Sequence, residues 1–260
     1  PTDVRLHAAL AETHLEVDNL DAAIGEYKIA TTLDPKFVIG YNNLGTIYMQ
    51  QGEFQQAAEA FQRVIQLDAS AAEPYVSLGW IYARQGKFDL AKSHLQSAIK
   101  RNPKLTAAYQ CLGEIYVQQR DIKNAIATYT RLTEVQPQES GAWLRLGVLQ
   151  LNARQVDAAI HAFQRAIEAD ASSADAYNNL AWLYADVGVN LDSAVELAKK
   201  AIALTPVASN FDTLSYAYYK NILYQEAEAA IRRAIEIEPG NQKYQKQLAE
   251  IRNANDTKRK

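Results

Sequence analysis

Four histidines, one cysteine and one Gly-Lys pair are the residues of this 260-residue chain whose types could first suggest chemistry. His7 and His14 lie seven residues apart, so a helix would set both on one face, where they could hold a metal ion. The simpler reading, two substituted aromatic positions on a packing face, is preferred. Cys111 has no histidine near it in sequence and reads as a small buried or groove-lining residue rather than a nucleophile. Gly86-Lys87 is followed by Phe88, and no upstream glycine stands at the spacing of a phosphate-binding loop. The patterns HExxH, GxSxG and CxxC do not occur. Asn255-Asp256-Thr257 matches a glycosylation acceptor in form alone. The expectation is a protein without catalytic residues, metal or cofactor.

Composition narrows the partners. There are 27 basic and 30 acidic residues, a net charge of −3, so nothing in the total favours nucleic acid or an anionic membrane surface. Apolar residues make up 48% of the chain, ample for a core, and the single cysteine rules out an internal disulfide framework. No apolar run reaches the length that spans a bilayer. The opening Pro1-Thr2-Asp3 has no initiator Met, which suggests a trimmed chain. Localisation is then open: soluble, and cytoplasmic or, if a signal peptide was removed, periplasmic.

The elements that would position any site announce themselves by repetition. YNNLGTIYMQQGEF at 41–54 returns as YVSLGWIYARQGKF at 75–88 and as YQCLGEIYVQQRDI at 109–122. A small residue recurs at Ala11, Gly45, Gly79, Gly113, Gly147, Ala181 and Ser215, in steps of 34. A second follows at Ala23, Ala57, Ala91, Ala125, Ala159, Ala194 and Ala227, with one residue inserted near 188–191. Pro35, Pro103, Pro137, Pro206 and Pro239 keep the same time. In each unit an aromatic residue, Leu at i+3 and usually Tyr at i+7 share one helical face. A break follows, and then a second helix carrying Ala and a large apolar residue, stopped near a proline. Two such helices can approach closely only where one side chain is very small, so a larger residue at Gly79 is expected to overpack the pair.

This 34-residue pattern of aromatic, Leu-Gly, Tyr, Ala, aromatic and Pro resembles the tetratricopeptide repeat (TPR). The resemblance covers units 4–37, 38–71, 72–105, 106–139, 140–173, 174–207 and 208–241. It implies an all-α fold, a right-handed superhelical solenoid of antiparallel helix pairs running through 1–260. Residues 242–255, with Tyr244, Leu248 and Ile251 on one face, read as a C-terminal capping helix, and 256–260 as a solvated tail. No equivalent cap precedes the first unit, which departs most from the pattern; either its first helix is tolerated as an end, or the native protein continues upstream.

The resemblance further implies that the first helix of each unit lines a concave groove. Read onto this chain, the expected peptide-binding residues are Asn42, Asn43, Thr46, Trp80, Arg84, Gln110, Glu114, Arg145, Asn178, Asn179, Trp182 and Tyr216. Amides suit an extended peptide backbone, and tryptophans on an open face serve as anchors. The alternatives are that the tryptophans pack on neighbouring helices and that the amides are solvated. The fifth position of the units carries no lysine, so the clamp some family members use on a free carboxylate is absent. The implied function is a non-enzymatic scaffold or adaptor holding an extended segment of a protein partner. The alternatives are a self-associating assembly module, or the regulatory arm of a longer protein with a separate catalytic domain. No nucleic acid, no membrane insertion and a monomer or weak dimer are expected.

Overall fold

The computed structural model describes residues 3–258; Pro1, Thr2 and the last two residues of the expected tail lie outside the described residues. Among the described residues there are fifteen helices and no strand, an all-α helical-repeat fold. The chain divides into two compact units, Pro1–Val135 and Gln136–Lys260.

The first unit holds α1 (Val4–Glu16), α2 (Leu20–Leu33), α3 (Val38–Gln51), α4 (Phe54–Leu67), α5 (Glu73–Arg84), α6 (Phe88–Arg101), α7 (Thr106–Gln118) and α8 (Ile122–Val135). They pair as hairpins, and each hairpin packs on the next through α2 on α3, α4 on α5 and α6 on α7. The second holds α9 (Ser140–Asn152), α10 (Val156–Ala169), α11 (Ala174–Val187), α12 (Leu191–Leu204), α13 (Ala208–Lys220), α14 (Tyr224–Ile237) and α15 (Gln242–Lys258). Three hairpins stack in the same manner there, and α15 covers α14.

The periodic glycines mark the crossings inside each hairpin. A Cβ on Gly45 would come to 2.8 Å from the Phe61 ring, on Gly113 to 2.7 Å from Tyr129, and on Gly147 to 2.6 Å from Phe163. On Gly79 it would meet Leu95 Cγ at 2.6 Å and the backbone oxygen of Ala91 at 3.3 Å. Each large side chain therefore fills the space that a missing Cβ leaves, and all four are almost fully buried. At the same position in the last repeat, the Ser215 hydroxyl donates to the Ala227 carbonyl at 2.9 Å, so its polarity is satisfied in the core.

The turn inside every hairpin repeats as strictly. A left-handed residue stands at Asp18, Gly52, Gly86, Arg120, Arg154, Gly188 and Ile222, with φ between 56° and 76°. The residue after it donates to a carbonyl five back, as in Glu53 to Tyr48 at 2.8 Å, Asp121 to Tyr116 at 2.9 Å and Leu223 to Tyr218 at 2.9 Å. This is a Schellman ending, which satisfies helix carbonyls that would otherwise be unpaired. The extra residue of the sixth repeat adds a second left-handed residue, Asn190, which N-caps α12. Between hairpins, Asp34, Asp68, Asn102 and Asp170 accept from the N–H two residues on, closing Asx turns.

At the C-terminal end, Tyr244, Leu248 and Ile251 of α15 pack on a core that includes Ala227, Ile231 and Ala234. The helix runs to Lys258, so 256–258 continue it where the sequence pattern suggests tail. Side-chain ties to α14 and its turn account for the extension. Arg252 bonds Glu228 at 2.9 Å, and the Lys258 ammonium reaches the Ile222 carbonyl at 3.4 Å.

These contacts and turns make three substitutions testable. Gly79→Ala should lower stability by about 1 kcal/mol net, because overpacking at about 1–3 kcal/mol outweighs a helix-propensity gain of about 1. Gly25→Ala, in α2 with nothing within 4 Å of its Cβ, should instead stabilise by about 0.5–1 kcal/mol. Urea titration of both variants reads the opposite signs. Ile222 is β-branched, exposed and held at φ 61°. Ile222→Asn should raise stability by about 1 kcal/mol, since Asn tolerates this conformation and Ile does not. An unchanged or lowered urea midpoint would contradict it.

Candidate binding faces of the first and second units

In the first unit the expected residues lie on the leading helix of successive hairpins: Asn42, Asn43 and Thr46 on α3, Trp80 and Arg84 on α5, Gln110 and Glu114 on α7. Several are engaged inside the unit. The Asn43 amide donates to the Tyr27 hydroxyl at 2.7 Å, and Thr46 donates to the Asn42 carbonyl at 3.0 Å. The Tyr129 hydroxyl donates to Glu114 Oε1 at 2.6 Å. Trp80 is half-buried, meets the Phe54 ring edge-on at 5.6 Å, and has the Arg84 guanidinium 4.8 Å from its ring centroid. That cation covers an aromatic face and adds attraction of its own. Asn43 and Thr46 also border a cleft of about 210 Å³ with Leu15, Leu20 and Gln50.

The second unit carries Arg145 on α9, Asn178, Asn179 and Trp182 on α11, and Tyr216 on α13. The first three are half-buried. Asn178 Oδ1 is buried and accepts no hydrogen bond among the described residues. Trp182 is 37% exposed and stacks on Tyr216, with centroids 6.5 Å apart and planes 21° from parallel. The Tyr216 hydroxyl donates to Asp186 Oδ1 at 2.9 Å. Burial and that carboxylate push its pKa up to about 12, so it remains a proton donor across the physiological range.

These two aromatics form part of a cleft of about 340 Å³ between α11, α13 and α15. Tyr219, Lys246, Gln247 and Glu250 complete much of its lining. Lys243 and Asp212, also on the lining, bond each other at 2.6 Å. The cleft is an aromatic floor with a rim of both charges, a surface suited to an apolar side chain on a polar backbone. The contribution of α15 is absent from the residues named by sequence, which treats that helix only as a cap. The available signal is its spacing: Lys243, Lys246 and Glu250 fall at i, i+3 and i+7 on one face.

The residues first weighed for chemistry sit in structural roles. His7 Nδ1 lies 2.6 Å from Glu26 Oε2, tying α1 to α2. The His94 ring stacks on Tyr82 at 5.2 Å, and burial lowers its pKa. Cys111 is half-buried against the core around Leu95 and Leu112, and burial pushes its thiol up, away from the reactive thiolate. No described helix is long and apolar enough to cross a membrane.

Comparison with known proteins agrees with this architecture. Family profiles described as tetratricopeptide repeat or TPR repeat match residues 15–52, 38–104, 82–147, 144–209 and 209–241. A chloroplastic tetratricopeptide repeat domain-containing protein of Arabidopsis thaliana, PYG7, is 33% identical over 64 residues, 25% of this chain and 21% of that protein. The small glutamine-rich tetratricopeptide repeat-containing protein 2 of Mycosarcoma maydis is 36% identical over 55 residues, 21% of this chain and 16% of that protein. The chain thus spans about a fifth or less of the length of these relatives.

Among solved structures, the C-terminal part of a TPR repeat-containing protein from Cytophaga hutchinsonii superposes with a TM-score of 0.76 at 17% identity, over 95% of this chain and 99% of that one. YrrB, described as a TPR protein with an unusual peptide-binding site, gives 0.64 at 22% identity, over 72% and 97%. MamA gives 0.59 at 27% identity, over 66% and 94%. At 17% and 22% identity the likeness establishes the fold alone. Repeat spacing, hairpin crossings and these matches agree on one conclusion: the chain belongs to the tetratricopeptide-repeat family.

Proposed function

We propose that the chain is a non-catalytic interaction module that holds an extended segment of a partner protein against the leading helices of its repeats. Tetratricopeptide repeats serve generally as protein–protein interaction scaffolds and are typically non-catalytic. The observation that carries the finer reading is Trp182, exposed and stacked on Tyr216 over the cleft between α11, α13 and α15. An exposed aromatic held at a fixed tilt gives a partner a large contact with little ordering cost.

In this reading Asn178, Asn179, Arg145 and Tyr216 recognise the segment around Trp182 in the second unit. In the first unit, Asn42, Asn43, Thr46, Gln110 and Glu114 supply polar contacts around Trp80 and Arg84. The two tryptophans share the work unequally. Trp80 spends an edge on Phe54 and a face on Arg84, so its role is divided between packing and binding. Trp182 is the stronger anchor.

The test begins with an array of unstructured peptides, followed by fluorescence anisotropy on the best binder. Trp182→Ala should weaken that binder roughly thirtyfold or more, as expected for an aromatic anchor. Its melting temperature should stay within about 3 °C of the parent protein. Trp80→Ala should lower the melting temperature by about 5 °C or more while also weakening binding. Unchanged affinity in Trp182→Ala would overturn the assignment.

A further inference from the structure

We propose that the partner segment lays an arginine side chain against Trp182 and pairs its guanidinium with Asp186. This rests on the reading above, in which Trp182 anchors an extended segment. The repeats supply the internal control. Three of them carry a large aromatic residue at the same place on the leading helix: Trp80, Trp182 and Tyr216. Four residues later, one turn on and on the same helix face, stand Arg84, Asp186 and Lys220. The Arg84 guanidinium lies 4.8 Å from the Trp80 centroid, and the Lys220 ammonium 5.4 Å from that of Tyr216. Trp182 has a carboxylate where both of the others have a cation of their own.

That carboxylate is exposed and in no ion pair among the described residues. Its Oδ1 accepts from the Tyr216 hydroxyl at 2.9 Å, which leaves Oδ2 for another donor. The neighbouring cations are engaged elsewhere. Lys220 reaches the backbone carbonyl of Asp186 at 3.5 Å rather than its side chain. Lys243 bonds Asp212 at 2.6 Å, and Lys246 stands 4.0 Å from Glu250, so the other charges lining the cleft cancel in pairs. What remains is one carboxylate beside an exposed indole. Ring quadrupole and charge both attract a cation there.

Arginine fits this pair better than lysine does. Its planar guanidinium stacks on an indole and still presents N–H groups to a carboxylate, whereas an ammonium is a compact, strongly hydrated charge. Its three methylenes then lie on the aromatic floor that Trp182 shares with Tyr216 and Tyr219. The apolar and charged parts of one side chain are both satisfied. Trp80 makes the opposite case. Arg84 already covers its ring, so a second cation there would meet a like charge. The preference for arginine belongs to the second unit alone.

The tightest binder from an array of unstructured peptides, labelled for fluorescence anisotropy, tests the assignment. That peptide should contain an arginine whose replacement by citrulline, similar in shape but uncharged, weakens binding roughly tenfold or more. Lysine at the same place should recover only part of the loss. Asp186→Asn keeps an acceptor for the Tyr216 hydroxyl and should weaken the parent peptide by a similar factor. The same variant should leave the citrulline peptide almost unaffected, because the two changes remove one interaction. Asp186→Arg gives Trp182 the cation that Trp80 already has, and should weaken the parent peptide further. Both variants should melt as the parent protein does by circular dichroism, since Asp186 is exposed. A binder that needs Trp182 but tolerates Asp186→Asn, or that contains no arginine sensitive to citrulline, overturns the arginine assignment and leaves the anchor standing. A binder indifferent to Trp182→Ala overturns the anchor and this proposal together.

Discussion

The close crossing of two helices at a residue without a side chain is the constraint from which the rest follows. At Gly45, Gly79, Gly113 and Gly147 the second helix of the hairpin lays a large side chain where a Cβ would stand. That contact sets how near the two helices lie, and the next hairpin must stack on the surface they jointly present. A one-carbon change there cannot relax freely in an interior repeat, because it is packed on both sides. The sixth repeat varies both members together. It has Ala181 where others have Gly, and Ala198 where others have Phe61, Leu95, Tyr129 or Phe163. The first and seventh repeats also carry small side chains at this position, Ala11 and Ser215, both fully buried.

Much of this was legible in the sequence because packing and spacing are written in residue type. A strict 34-residue step in the small residues gives the hairpins, their order and their crossing points. The turn geometry was only partly legible. Gly52, Gly86 and Gly188 advertise a left-handed residue, but Asp18, Arg120, Arg154 and Ile222 adopt the same conformation without advertising it. There the Schellman closure of the hairpin overrides local preference, and only the register reveals it.

The binding faces were less legible for a related reason. Trp80 and Trp182 occupy the same place in their repeats, yet one is packed and the other open. The difference lies 26 residues upstream, at the start of the preceding helix, where Phe54 opposes Trp80 and the smaller Val156 holds the matching place for Trp182. The cleft beside Trp182 also depends on α15, whose cap function hides a second, polar face. Position in a repeat predicts which way a side chain faces. Its exposure is decided by the size of a neighbour from another repeat.

Those neighbour effects all presuppose that the hairpin crossing is governed by fit between a small and a large residue. A double-mutant cycle on Gly147→Ala and Phe163→Leu in urea measures that fit directly. Each single change should destabilise the protein, and the pair should cost less than the sum by about 1 kcal/mol, because the shorter side chain vacates the space the new Cβ needs. Costs that simply add, within about 0.3–0.5 kcal/mol, would show that the two residues do not set the crossing together.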